Sequence, residues 1–337
     1  MNKKIGLAAL SVVIFSSIVV SLPSLFVWGL QYEQKAALAA MMEEFPVTVN
    51  PQNKTIIEDK RVNALFESEQ SPLQAATANA EHTFWKAFEL IATTINDTPW
   101  YQNIAGVAGV KERIVTITPG MRKEQVASAF GKALAWNSTQ QKEFLTPVEG
   151  SLLPLAEGSF SPGVYTVTSD MTPIAAQALV NERFTEEILS HYATATAEMV
   201  SIDQALTVAS LIEREAGGSD DMRMISGIIW NRLFANMNLQ IDATIQYVKA
   251  NNTSVKSWWP KVIPSDMARK SPYNTYKNSG LPPTPISNSS VASVLAALNP
   301  KETSCMYYFH DNARQFHCSD TYAQHVALLK QYFGRGK

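Results

Sequence analysis

The chain has 337 residues, 17% of them charged, and a formal net charge of −2. That length allows a sizeable core and about two domains. The near-neutral balance and the lack of a long basic run exclude an electrostatic nucleic-acid binder.

Lys3 and Lys4 precede a stretch that carries no charge from Ile5 to Leu30. It exceeds the ~20 residues that span a bilayer. The two lysines orient it with residues 1–4 in the cytoplasm and everything beyond Gln31 on the outer side. A cleaved signal peptide has a shorter apolar core and a small-residue cleavage site, and no such site stands out before Trp28. A retained transmembrane anchor over 5–30 is therefore the expectation. Residues 31–110, broken by Pro46, Pro51 and Pro72, read as a tether with short helices. Within it, Phe84, Phe88 and Ile91 fall at helical spacing, which is more often packing than chemistry.

The pattern changes at Arg113. The run RIVTI alternates as a strand, turns at Pro119-Gly120 and continues as a helix with Val126, Phe130 and Leu134 inward. A second extended run, Ser159 to Thr168, pairs with the first strand, giving a small α+β module over 111–170. Thr172-Pro173 opens the next helix.

The stretch Ser201 to Gly218, SIDQALTVASLIEREAGG, predicts a helix with a Ser201/Gln204 capping box and a stop at Gly217-Gly218. Its apolar residues cover more than half the circumference, so it is largely buried, and Asp203, Thr207, Ser210 and Arg214 share a narrow polar face. Glu213 and Glu215 fall at opposite edges of the apolar arc in the last turn, where the helix dipole disfavours a carboxylate. Partial burial acts in the same direction, so one of them is a candidate to hold and donate a proton near neutral pH.

Ser219 and Asp220 are positioned to cap a following helix that runs through Ile228 and Ile229, with Asn231 and Arg232 near its end. Asp242 stands where it caps a further helix or contacts a ligand. From Ser271 to Ser290 the sequence is proline-rich and aperiodic, hence a loop. Its Tyr273, Asn274, Tyr276 and Asn278 are of the kinds that stack on sugar faces and bond to hydroxyl and acetamido groups. Cys305 and Cys318 bracket two short strands around Asp311-Asn312, so a hairpin brings the sulfurs to the same end. A disulfide there requires an oxidising compartment, the alternative being two free buried thiols. Neither cysteine has a CxxC partner, so no zinc site is implied.

Together, ASLIEREAG, WNRLFANMNLQIDATIQY, SPYNTYKNSGLPPTPISN and the terminal SDTYAQH resemble the endolytic murein transglycosylase (YceG-like) family of the bacterial cell envelope. The resemblance is specific from about Ser201 to Leu329 and weaker over VTITPGMRKEQVA and EGSFSPGVYTV. It implies a LysM-like module over 111–170 and a mainly helical, lysozyme-like catalytic domain with a β-hairpin over 171–337. The catalytic glutamate is implied at Glu215, the second of the pair. Gln240, Asp242, Tyr273, Asn274 and Tyr276 become substrate-binding candidates, and Glu213, Asn231 and Arg232 supporting ones. Glu213 either supports the site or pairs with an arginine such as Arg232. Two departures stand out. Ala243 occupies the place of a proline usual in the family's Q-x-D-P-T block, and no role transfers to His317. His325 is read as a structural hydrogen-bonding residue.

The expectation is an α+β protein, anchored in the inner membrane with its catalytic domain outside. It would cut the MurNAc-GlcNAc bond non-hydrolytically, leaving 1,6-anhydroMurNAc ends. The implied partners are peptidoglycan strands, the membrane and peptidoglycan synthases; neither a metal nor a cofactor is called for. The rivals are a hydrolytic muramidase and a non-catalytic peptidoglycan-binding protein.

Overall fold

A computed structural model describes residues 44–67, 111–147, 156–251 and 255–334. The anchor expected over 5–30 and the helical stripe around Phe84 lie outside them. No helix among the described residues is long and apolar enough to cross a membrane. In chain order the elements are β1 (Val49–Asn50), β2 (Thr55–Ile56), α1 (Lys60–Glu67), β3 (Glu112–Ile117), α2 (Lys123–Leu134), α3 (Ser138–Leu145), β4 (Gly163–Thr168), α4 (Pro173–Glu187) and α5 (Thr194–Met199). They continue with α6 (Ile202–Glu215), α7 (Ser219–Phe234), α8 (Asp242–Ala250), α9 (Val291–Leu298), β5 (Tyr307–His310), β6 (Phe316–Ser319) and α10 (Tyr322–Phe333). Among the described residues the content is α+β, with three separate antiparallel strand pairs.

Two cores form. In the smaller, β3 and β4 pair from Glu112↔Thr168 to Ile117↔Gly163 and bury Val115, Ile117, Tyr165 and Val167 against α2 and α3. Phe130, Phe144 and Phe160 are fully buried at its centre, each contributing about 2 kcal/mol of transfer free energy. The α3 helix is an element the sequence reading passed over. Its signal was present in Asn137, whose side chain accepts from the N–H of Thr139 and Gln140. The α4 helix opens as expected with Thr172 as cap and Pro173 at its first turn. It closes the smaller core with Ala176 and Val180 and enters the larger one with Phe184.

The larger core is built on α6, which runs beside α9 with α7 across them. Residues 44–56, read from sequence as part of a tether, belong to this body. Phe45 and Val49 are buried in its core. The backbone is tied in by Phe45 N–H to the His191 carbonyl (2.7 Å), Thr48 N–H to the Leu298 carbonyl (3.0 Å) and the Asn299 amide to the Pro46 carbonyl (2.7 Å). The prolines there shape a docked hairpin, not a free linker.

The two cores meet on Asn288, which is fully buried. Its Oδ1 accepts from the N–H of Gly158 and Phe160 (both 3.0 Å), and its Nδ2 donates to the Met121 carbonyl at 2.9 Å. Its backbone pairs with Gly120 and Met121 at 2.8 Å in each direction. Gly120 has φ +80°, and a side chain there would meet the Arg214 guanidinium within 2.9 Å, so this turn requires glycine on two counts.

Candidate active site

The α6 helix begins with the expected capping box, Ser201 and Gln204 bonding reciprocally at 3.3 Å. Part of its polar face is buried as well, at Thr207 and Ser210. Ser210 faces the 284–288 segment, where its hydroxyl accepts from Ile286 N–H (3.1 Å). The body therefore surrounds α6 on nearly all sides, and its last turn emerges between α8, α9 and the β5–β6 hairpin.

The two glutamates of that turn separate completely. Glu213 Oε2 accepts from Ser290 N–H (2.9 Å), Ser290 Oγ (2.7 Å) and Ser293 Oγ (2.8 Å). Its Oε2 is thereby set at the N-terminus of α9, among the hydroxyls that open that helix. It neither pairs with Arg232 nor joins the site. Glu215 turns the other way, half-buried, and its Oε2 accepts from the Tyr308 hydroxyl at 2.9 Å. Burial raises its pKa; the nearby Asp242 charge adds to this, while the hydrogen bonds from Tyr308 and Ala243 N–H oppose it.

Around Glu215 the expected residues divide by role. Asp242 is exposed, the first residue of α8, and accepts from the Tyr276 hydroxyl at 2.7 Å. It does not cap the helix with its side chain, since that position is Ile241. Gln240 is exposed beside it with φ +52°, its N–H held by the Thr275 carbonyl. Tyr273 packs on Tyr247 with ring centres 5.0 Å apart and bonds to the Thr284 hydroxyl at 2.8 Å. Asn274 is a correction. It is fully buried, donates to the carbonyls of Met267 (3.0 Å) and Arg269 (2.7 Å) and accepts from Tyr276 N–H (2.9 Å). Its amide has no group left for a sugar and instead shapes the loop that presents Tyr276.

Asn231 and Arg232 bond to backbone carbonyls around the β5–β6 hairpin. Asn231 donates to the carbonyls of Thr303 (2.7 Å) and Cys305 (3.2 Å), and Arg232 to those of Met306 (2.7 Å) and Leu239. These bonds fix the root of the hairpin. Cys305 and Cys318 form a disulfide there, with Cα atoms 5.8 Å apart. Its strands pair Tyr307↔Ser319 to His310↔Phe316 around a turn in which Asp311 accepts from Ala313 and Gln315 N–H.

Three residues that contact Glu215 or the turn after it were not read from the sequence: Tyr308, His310 and Asp221. Tyr308 and His310 meet Glu215 and its following turn from about 90 residues downstream, so no local pattern announces them, whereas Asp221 carries a local signal as the third residue of the α7 capping box. His310 Nε2 lies 2.5 Å from Asp221 Oδ2. Asp221 also caps α7, accepting from Gly217 N–H (2.9 Å) and Gly218 N–H (3.3 Å), a task the sequence reading gave to Ser219 and Asp220. His325, expected to hydrogen-bond, instead lies flat on Tyr307 with ring centres 5.5 Å apart, its buried Nδ1 without a partner. No metal-binding group of His, Cys, Asp and Glu occurs among the described residues.

The family model described as YceG-like matches residues 35–331. The chain belongs to the YceG-like family. Among curated relatives, the endolytic murein transglycosylase of Bacillus subtilis (strain 168) is 29% identical over 242 residues, 65% of this chain and 64% of that protein. The endolytic murein transglycosylase of Streptococcus pneumoniae (serotype 2, strain D39) is 26% identical over 216 residues, 62% of this chain and 38% of that protein. The YceG-like chain thus matches less than two thirds of the length of either relative. A solved yceG-like protein from Listeria monocytogenes covers 81% of this chain and 98% of its own at TM-score 0.56 and 24% identity, a likeness of fold.

Proposed function

We propose that the chain is an endolytic peptidoglycan lytic transglycosylase, with Glu215 as its acid and base. The observation that carries this is the setting of Glu215: a carboxyl raised by burial, held at one oxygen by Tyr308, and close enough to Asp242, the partner of Tyr276, to feel its charge. A protonated Glu215 donates to the leaving glycosidic oxygen as the bond to the muramoyl anomeric carbon breaks, with an oxocarbenium-like transition state. The resulting carboxylate takes the proton of the muramoyl C6 hydroxyl as that oxygen closes on the anomeric carbon. Water takes no part, and the product is a 1,6-anhydro end. Asp242, exposed and orienting Tyr276, supplies negative charge facing the developing cation.

The α+β module over 111–170 serves as a LysM-like glycan grip. The segment 5–30 serves as a single inner-membrane anchor that leaves the body outside, where an oxidised Cys305–Cys318 pair is expected. Trimming or terminating new strands near the membrane, beside peptidoglycan synthases, follows from that placement. The domain division at 30, 110 and 170 is part of this proposal.

One observation favours a second reading. Asp242 is a second carboxylate close enough to act on Glu215, and ordinary glycosidases use two; a hydrolytic muramidase would use it to activate water. For either reading the first test is Glu215→Gln in the full-length protein in detergent, on uncrosslinked glycan strands. Turnover is expected to fall by at least ~10²-fold with strand binding retained. Parental turnover in that variant overturns the assignment.

A further inference from the structure

We infer that Asp221 and His310 form a positioning pair for Glu215, locking the turn that follows it to the strand that holds its carboxylate. The inference rests on Glu215 being the acid, as proposed above. Tyr308 and His310 lie two residues apart on β5, so they share one face of the strand. That face touches the chain twice. Tyr308 bonds Glu215 Oε2 at 2.9 Å, and His310 meets Asp221 Oδ2 at 2.5 Å. The same Asp221 oxygen accepts the N–H of Gly217 at 2.9 Å. The stretch from Glu215 to Asp221 is thus gripped at both ends by a single strand, while Asp221 gathers the two glycines between.

The pair is built for rigidity. The Asp221 side chain is 8% exposed and that of His310 22%, so solvent screens the contact weakly. The Phe316 ring closes over His310 edge-on at 5.6 Å. Gly217 lies against the imidazole so closely that an added Cβ would come within 3.2 Å of Nε2. Without the pair, the turn has two glycines and no anchor on the hairpin, and Glu215 loses its fixed direction. A displacement of about 1 Å at a reacting group costs ~10²-fold in rate. The pair touches no reacting atom, so its loss falls on kcat and leaves KM in place.

Several charged or titratable groups face Glu215. They are Asp242 on α8, Tyr276 on the loop, Tyr308 and His310 on β5, Arg232 on α7 and the neighbouring Arg214. His310 acts to favour the ionised form. Its removal moves the alkaline limb of kcat/KM upward, whereas loss of packing alone leaves that limb where it was.

The test compares the parent, Glu215→Gln, His310→Phe, His310→Gln and Gly217→Ala as full-length proteins in detergent, with thermal unfolding as the check on folding. His310→Phe is expected to lose ~10- to 100-fold in kcat at unchanged KM, with its alkaline limb raised. His310→Gln keeps a donor for Asp221 and recovers most of the kcat. Gly217→Ala, which presses on the ring from the other side, gives an intermediate loss and serves if His310→Phe does not fold. Parental kcat and pH profile in a folded His310→Phe, or in Gly217→Ala if that variant alone folds, overturn the inference. Parental activity in Glu215→Gln overturns instead the reading on which it rests.

Discussion

At the scale of single residues, the chemistry turns on the protonation of Glu215, and two neighbours set it in opposite directions. Asp242 disfavours the ionised carboxylate, so Asp242→Asn lowers the pKa of Glu215 and shifts the alkaline limb of kcat/KM to lower pH. Tyr308 donates to the ionised form, so Tyr308→Phe raises that pKa and shifts the limb to higher pH. A pH profile of both variants checks the signs, and a shared direction contradicts the arrangement. The sequence could place two carboxylates at the end of a buried helix but not choose between them. Helical spacing fixes the angle between Glu213 and Glu215, while the choice is made by Ser290 and Ser293 for one and Tyr308 for the other, from about 80 to 90 residues downstream. Asn274 misled for a related reason. An amide among tyrosines is equally suited to bonding a sugar or bonding three backbone groups, and only burial distinguishes them.

At the scale of elements, the hairpin β5–β6 is the part the site depends on most and the easiest to disturb. It is short, half-buried, and held at its root by Asn231, Arg232 and the Cys305–Cys318 bond. A cross-link spanning 13 residues is worth ~3 kcal/mol in the chain-entropy model. The double variant Cys305→Ser/Cys318→Ser is therefore expected to lower the unfolding midpoint and to reduce kcat more than it raises KM, because Tyr308 and His310 travel with the strand. Unchanged kcat in that variant, or in parent protein under reductant, would show that the hairpin holds its place without the bond. The hairpin and α6 were legible because turn residues and caps are local signals. The docked hairpin at 44–56 was not, since its prolines read as punctuation and its partners, His191 and Leu298, are remote in sequence.

At the scale of the whole molecule, the two cores are joined through buried polar groups. Glu157 lies at that junction, accepting from Lys123 N–H at 2.8 Å and facing the Tyr247 hydroxyl at 3.3 Å. Burial, with the Glu124 charge adding to it, pushes its carboxyl up to about 8. The folded state then binds a proton that the unfolded chain releases near pH ~4.3. Stability therefore falls as pH rises from there to about 8 and levels above it. Glu157→Gln keeps an acceptor for Lys123 N–H without a titrating proton and is expected to remove that part of the slope in unfolding measured from pH 5 to 9; an unaltered slope contradicts this origin. None of that junction was legible, because Asn288 and Glu157 each sit in segments with no periodic pattern. The central claim is that one glutamate serves as acid and then base while the substrate's own hydroxyl replaces water. It is tested most directly by mass spectrometry of the glycan ends released by the full-length protein. Ends one water lighter than reducing sugars are predicted, absent with Glu215→Gln; reducing MurNAc ends of full mass would contradict the claim and make the protein a hydrolase.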